Sequence, residues 1–391
     1  MENVLRKRTG GKAEPVMEKH ADDTSFMSYV LKLGVSTIAG IAFGFCTEKG
    51  QVFEPQVIQE QMLLKRFIML KMFLSAVVSG MFVMSLLSML PFTRRKFLNI
   101  QQAFGSSLRS KGVLTVFTGG LVLGVGMTLS GACPGMVLSQ VGAGTSNAVY
   151  TLFGCFVGAL LYGVVEPLII RLLSSSHQLR HLFLDHASGS PYFVTVMPIA
   201  VTLAALVFGL EIYFPWRMEL VDHQIVSDDS TSNIFAHKNW PPVVCGALIG
   251  MLQLPMIFFV RSTLGASSSF CTLVSQLQVT EKLQKMSPYL CKYRSGIGHW
   301  SKVFYVGSAI LGSYLSTQAS GSYGEVTGVS PARAFLGGLL IVFGARTAGG
   351  CTSGHGLSGF GLLCILSIYA TVGIFVGGIA TAFTMNLIGA L

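Results

Sequence analysis

Two cysteines lie 218 positions apart in the same unusual surroundings. Cys133 closes the run F-T-G-G-L-V-L-G-V-G-M-T-L-S-G-A-C-P-G, Phe117 to Gly135. Cys351 falls within F-L-G-G-L-L-I-V-F-G-A-R-T-A-G-G-C-T-S-G-H-G-L-S-G, Phe335 to Gly359. The superposition pairs Gly119 with Gly337, Gly120 with Gly338, Gly126 with Gly344 and Gly131 with Gly349. A thiol is a weak hydrogen-bond donor on a soft, polarizable atom, so it can contact a solute briefly without trapping it. Each cysteine follows small residues (Gly131, Gly350) that can stop a helix, and each precedes a residue, Pro134 or Thr352, suited to starting one. Free N–H groups and the dipole at such a start attract anions. The competing reading is two small buried residues that tolerate close packing. Duplication at matched breaks favours chemistry.

Other residues could join them. Cys46 and Cys271 share an F-C-T context at an offset of 225, Cys46 near the end of an apolar run and Cys271 after three serines. Arg346 lies five residues before Cys351 in an apolar stretch, where a cation costs about 2.5–3.5 kcal/mol and must face the interior. An anionic substrate, helix carbonyls or Glu166 could be its partner. Lys71 sits one turn into a span and can snorkel, which makes it structural. His355 and Cys351 form C-x-x-x-H, two ligands where zinc needs three or four, so His355 reads as a polar group lining a short helix rather than as part of a metal site.

The elements that must carry these residues are membrane helices. The chain of 391 residues is 51% hydrophobic and only 11% charged, with a mean hydropathy of +0.62, which describes an all-α polytopic membrane protein. Apolar windows fall at 28–46, 67–90, 113–132, 148–170, 192–214, 241–260, 302–317, 334–350 and 362–388, about nine transmembrane helices in all. Shorter pieces at 47–66, 134–147, 266–290 and 351–361 read as re-entrant helices or loops facing protein or a cavity. Residues 1–27 form a polar, mixed-sign N-terminal tail without the apolar core of a signal peptide. The net charge of +10 resides in loops, where it acts on topology and anionic lipid rather than on nucleic acid.

The repeat divides the chain into membrane repeat 1 (28–170), a linker with one extra transmembrane helix (171–240) and membrane repeat 2 (241–391). Segment 47–66 is neutral, whereas 92–112 carries Arg94, Arg95, Lys96, Arg109 and Lys111. In the second half the bias reverses: 272–302 is basic and 318–333 is neutral. Opposite charge bias on equivalent connections is the expected mark of inverted topology, with the extra span supplying the odd crossing. The amino terminus then lies inside, and the acidic linker 215–240 (Glu219, Asp222, Asp228, Asp229) lies outside.

The stretch A-G-G-C-T-S-G-H-G-L-S-G, Ala348 to Gly359, with its weaker first-half copy L-S-G-A-C-P-G, resembles the YeeE/YedE family of sulphur transport domain permeases. That resemblance implies a nine-span inverted-repeat permease of the plasma or inner membrane that takes up thiosulfate. It also implies a path with three cysteines, which fall here at Cys46, Cys133 and Cys351. Substrate-binding candidates are therefore Cys46, Cys133, Cys351, Cys271, Arg346, His355, Gly131, Gly350 and Thr352. A selenium-compound permease would use the same thiols, and a membrane thiol-redox or sulfurtransferase protein would pair Cys133 with Cys351. The latter class usually carries C-x-x-C or a cysteine with an activating base, and neither is present. No phosphate-binding loop is present either, so no cofactor is expected and direct ATP drive is disfavoured. Passive movement, proton coupling and capture by a cytosolic sulfur-acceptor protein remain open.

Overall fold

A computed structural model describes residues 26–173, 179, 181–220 and 234–391. Residues 1–25 of the expected tail, and Asp222, Asp228 and Asp229 of the expected acidic linker, lie outside the described residues. Backbone groups in hydrocarbon must bond within their own segment, and the apolar windows accordingly fold as helices. In chain order these are α1 (Phe26–Lys49), α2 (Pro55–Met62), α3 (Ile68–Met89), α4 (Pro91–Arg109), α5 (Val113–Ser130), α6 (Met136–Gly142) and α7 (Ala148–Leu173). The linker helix α8 (Tyr192–Tyr213) follows. The second half contains α9 (Pro242–Val260), α10 (Ser267–Ser275), α11 (Ile297–Ser320), α12 (Pro331–Ala348), a π-helical segment (Thr352–Gly359) and α13 (Ile365–Leu387).

Seven of these helices are long and apolar enough to cross a membrane: α1, α3, α5, α7, α8, α9 and α13. α12 with the π-helical segment behind a 44° bend makes an eighth. The remaining window, 302–317, differs from expectation in composition rather than in length. It forms the 24-residue α11, about 36 Å long at 1.5 Å per residue. Its hydroxyl residues Ser308, Ser313, Ser316 and Thr317 are buried against protein, so hydropathy undervalues it.

The core is a crossing of α5 and α12. Gly126 lies against the backbone of Gly337, and Gly344 lies against that of Gly119. The flanking helices obey the same exchange. A Cβ added to Gly154 on α7 would meet the Phe335 carbonyl on α12, and one added to Gly373 on α13 would meet the Phe117 carbonyl on α5. Phe117 and Phe335 are themselves a matched pair. Around this core α1 packs on α11 while α3 packs on α9, so the halves are interlocked rather than side by side.

Two sequence expectations are corrected. Lys71 does not snorkel: it is fully buried, with Nζ 3.0 Å from Glu211 Oε2, 2.8 Å from Glu219 Oε2 and 2.6 Å from the Phe214 carbonyl. It ties α3 to the end of the linker helix, because two carboxylates there offer a buried ammonium more than the interface would. The F-C-T match also fails as a repeat position. Cys46 lies in the last turn of α1, whereas Cys271 lies inside the short α10. Helix order pairs α1 with α9 instead, and each is followed by a non-glycine left-handed residue, Gln51 (φ 56°) and Arg261 (φ 58°).

The crossing predicts a contrast between glycines. A Cβ on Gly344 would stand 2.7 Å from the Gly119 carbonyl oxygen, whereas nothing lies within 4 Å of one on Gly209 in α8. Gly344→Val should therefore cost about 1–3 kcal/mol or more through overpacking and sharply lower the yield of monodisperse protein. Gly209→Val should match the parent in fluorescence-detected size exclusion.

Candidate functional site

The two thiols are placed by how α5 and α12 end. Gly131 (φ 60°) and Gly349 (φ 91°) adopt the left-handed conformation that stops a helix. Two residues further on, each cysteine opens the next segment. The Cys133 carbonyl accepts the Val137 amide at 3.0 Å, and the Cys351 carbonyl accepts the His355 amide at 2.7 Å. The thiols thus sit at a pair of helix starts in matched registers. The Gly135 and Met136 amides point at Cys133 Sγ, and the Gly354 and Ser267 amides at Cys351 Sγ. Ser353 Oγ lies 3.2 Å from Cys351 Sγ. Thr352 lines the same narrow pocket as Cys133, so the residue after one motif cysteine faces the other.

One cavity borders each thiol, and a third touches neither. A basin of about 300 Å³ is lined by Cys351, Gly349, Gly350 and Gly354, by the cations Arg261, Lys302 and Arg346, by His299 and Tyr293, and by the hydroxyls of Ser262, Thr263, Ser267 and Ser268. One face of α4 closes it through Ile100, Ala103, Phe104 and Ser107. A narrow apolar pocket of about 50 Å³ holds Cys133, Gly135, Thr352 and Ser353 among Phe43, Met69, Met72 and Phe73. A third cavity, about 180 Å³, is lined by Glu48, Glu54, Glu325, Gln51 and Lys238. The basic connections 92–112 and 272–302 border the basin, and the neutral segments 47–66 and 318–333 border the acidic cavity.

Arg346 is 5% exposed, with Nη1 3.5 Å from the Tyr293 hydroxyl and Nε without a hydrogen-bond partner. The Cys271 side chain lies beside it. Among the described residues no carboxylate pairs with it, Glu166 included. Lys111 caps the end of α12: Nζ donates to the carbonyls of Arg346 and Thr347, the latter at 2.8 Å, and to Tyr162 Oη at 3.2 Å. Burial, with the Arg346 charge adding in the same direction, lowers the Lys111 ammonium to about 7.

The other expected site residues separate. Cys46 is buried and lines none of the three cavities; the turn after it holds a buried pair, Glu48 Oε2 to Lys49 Nζ at 3.6 Å, with Ser316 donating to the same carboxylate oxygen. Cys271 lies behind Arg346 rather than on a cavity wall. Gly131 packs on Pro55, and its carbonyl accepts Gln140 Nε2 at 2.8 Å. His355 is corrected: its ring is buried, with Nδ1 3.0 Å from Ser367 Oγ and Nε2 3.3 Å from the Ala348 carbonyl. It braces the break between α12 and the π-helical segment instead of lining a path. Sequence reasoning missed Lys302, Tyr293, His299 and Arg261 as wall residues. Lys302 was legible only as a loop charge at the edge of an apolar window.

The chain is similar to known proteins over most of its length. The sulphur transport family matches residues 49–380. The thiosulfate transporter TsuA of Spirochaeta thermophila is 25% identical over 357 residues, 89% of this chain and 97% of that protein. The thiosulfate transporter TsuA of Escherichia coli K12 is 24% identical over 245 residues, 61% of this chain. That match spans 65% of the Escherichia coli protein, just under two thirds of its length. A probable transporter of Xylella fastidiosa strain Temecula1 is 28% identical over 149 residues, 38% of this chain and 96% of that protein.

The cavity walls predict unequal thiol reactivity. In chains retaining one motif cysteine, a small anionic methanethiosulfonate should modify Cys351 at least tenfold faster than Cys133, because Cys351 borders the cationic basin and Cys133 an apolar pocket. Mass spectrometry of the labelled protein reads the difference, and equal rates would place the two thiols in equivalent surroundings.

Proposed function

We propose, from the premise that the chain belongs to the sulphur transport family, that it is a membrane permease for thiosulfate or a related inorganic sulfur anion. The observation that carries this reading is the duplicated thiol pair: Cys133 and Cys351 at matched helix starts, with Thr352 facing the Cys133 pocket, a cationic basin on one side and that narrow pocket on the other. Thiosulfate has a soft terminal sulfur and a hard trioxo end. A neutral thiol donates weakly to the former, and backbone amides at a helix start suit the latter. Such sites are favourable enough to enter and weak enough to leave, as conduction requires. The relatives named thiosulfate transporters support this substrate class.

The two halves, 28–170 and 241–391, act in this reading as inverted repeats about an axis in the membrane plane, with 171–240 supplying the odd crossing. The exchange of glycine contacts across α5, α7, α12 and α13 and the reversed loop charge support it. The anion then enters beside the neutral 47–66 and 318–333 segments. It leaves through the basin, with its electrostatic energy falling from the acidic cavity to the basic one. Cys46, in the last turn of α1, stands near the entrance rather than in the narrow passage.

Uptake of labelled thiosulfate by proteoliposomes tests the reading. Cys133→Ala and Cys351→Ala should each remove most uptake at unchanged expression, and Cys46→Ala should impair it less. Normal uptake by the Cys133→Ala/Cys351→Ala double variant would remove the thiols from the path. Selenite and sulfate as competitors define the substrate range.

A further inference from the structure

The basin holds more positive charge than the surrounding protein balances. Arg346 is nine-tenths buried with Nε unpartnered, and no Asp or Glu lines the cavity. Lys302 lines the same space, and among the described residues it has no ion pair or hydrogen bond. A buried cation without a counter-charge is costly, and the half-buried Lys302 in the same cavity repels Arg346 as well. The duplication does not explain them: the position matched to Arg346 is Thr128, whose hydroxyl merely bonds the Gly378 carbonyl at 2.9 Å. The cationic basin is therefore a feature of one side only, added to the symmetric thiol pair.

We propose that this basin is a holding site for a tetrahedral inorganic dianion of the sulfate type, bound between Lys302 and Arg346, and that sulfate occupying it from the basic-loop side slows the exit of the transported anion. The site deepens the permease reading and rests on it only for that second clause. Two cations match a dianion in charge. The serine hydroxyls of Ser267 and Ser268 and the Tyr293 phenol supply donors for further oxygens. The volume, about 300 Å³, takes the ion with several waters at roughly 30 Å³ each. Sulfate lacks the soft terminal sulfur, so it can fill the basin yet gains little from the thiols.

Equilibrium binding of radiolabelled sulfate to the detergent-purified full chain tests the site directly. One saturable sulfate per chain is expected, displaced by thiosulfate but not by equimolar chloride. Lys302→Met and Arg346→Met should each weaken binding at least tenfold, and Lys302→Arg should stay within about threefold of the parent. Each variant is compared as its monodisperse size-exclusion peak, so that Lys302→Arg and Arg346→Lys keep the test alive if a methionine variant fails to fold. No saturable binding, equal displacement by chloride, or parental affinity in folded Lys302→Met would overturn the proposal. In proteoliposomes, internal sulfate should lower thiosulfate uptake several-fold relative to internal chloride, and less so in Lys302→Met. Sulfate binding without any thiosulfate uptake would sink the permease reading and leave the site standing. Uptake without sulfate binding would do the reverse.

Discussion

Two left-handed glycines fix where everything else can be. Gly131 and Gly349 end α5 and α12 inside the protein in the left-handed conformation that glycine adopts without the steric cost of a Cβ. The chain then turns and offers a thiol, ringed by amides, at the start of the next segment. Because α5 and α12 cross backbone to backbone at Gly119, Gly126, Gly337 and Gly344, the two breaks are held in a fixed relation, and Thr352 can reach Cys133 from the other half. Without the close crossing the thiols would belong to separate places. Without the breaks they would be two more packing cysteines, like Cys155 in α7.

On this symmetric frame the charge is asymmetric. The basin beside Cys351 collects Arg261, Lys302 and Arg346, while the cavity near the end of α1 collects Glu48, Glu54 and Glu325. The two cavities thus carry opposite charge. The buried ion pairs elsewhere serve the scaffold. Lys71 with Glu211 and Glu219 anchors the linker helix to α3, and Glu48 with Lys49 and Ser316 locks α1 to α11.

Much of this was legible in the sequence because a repeat reports on geometry twice. The glycine and cysteine matches at one offset located the crossing, both breaks and the two thiols that line cavities. The F-C-T match, at an offset of 225 rather than 218, carried no such constraint and paired unlike elements. Side-chain direction was the other limit. Hydropathy places Lys71, His355 and Lys302 along a helix but not around it, so a buried lysine read as a snorkelling one, a bracing histidine as a lining one, and a wall lysine as a loop charge. α11 escaped the composition test because its serines face inward, where carbonyl acceptors meet them.

In the permease reading the matched thiols hold the transported anion between them. Cryo-electron microscopy of the full chain in lipid nanodiscs, with and without thiosulfate, shows where the anion rests. Added density is expected within hydrogen-bond reach of both Cys133 Sγ and Cys351 Sγ, beside Thr352 and continuous with the basin. Added density confined to the surroundings of Cys46, or on the lipid-facing side of α8, with none at the two helix breaks, would contradict it.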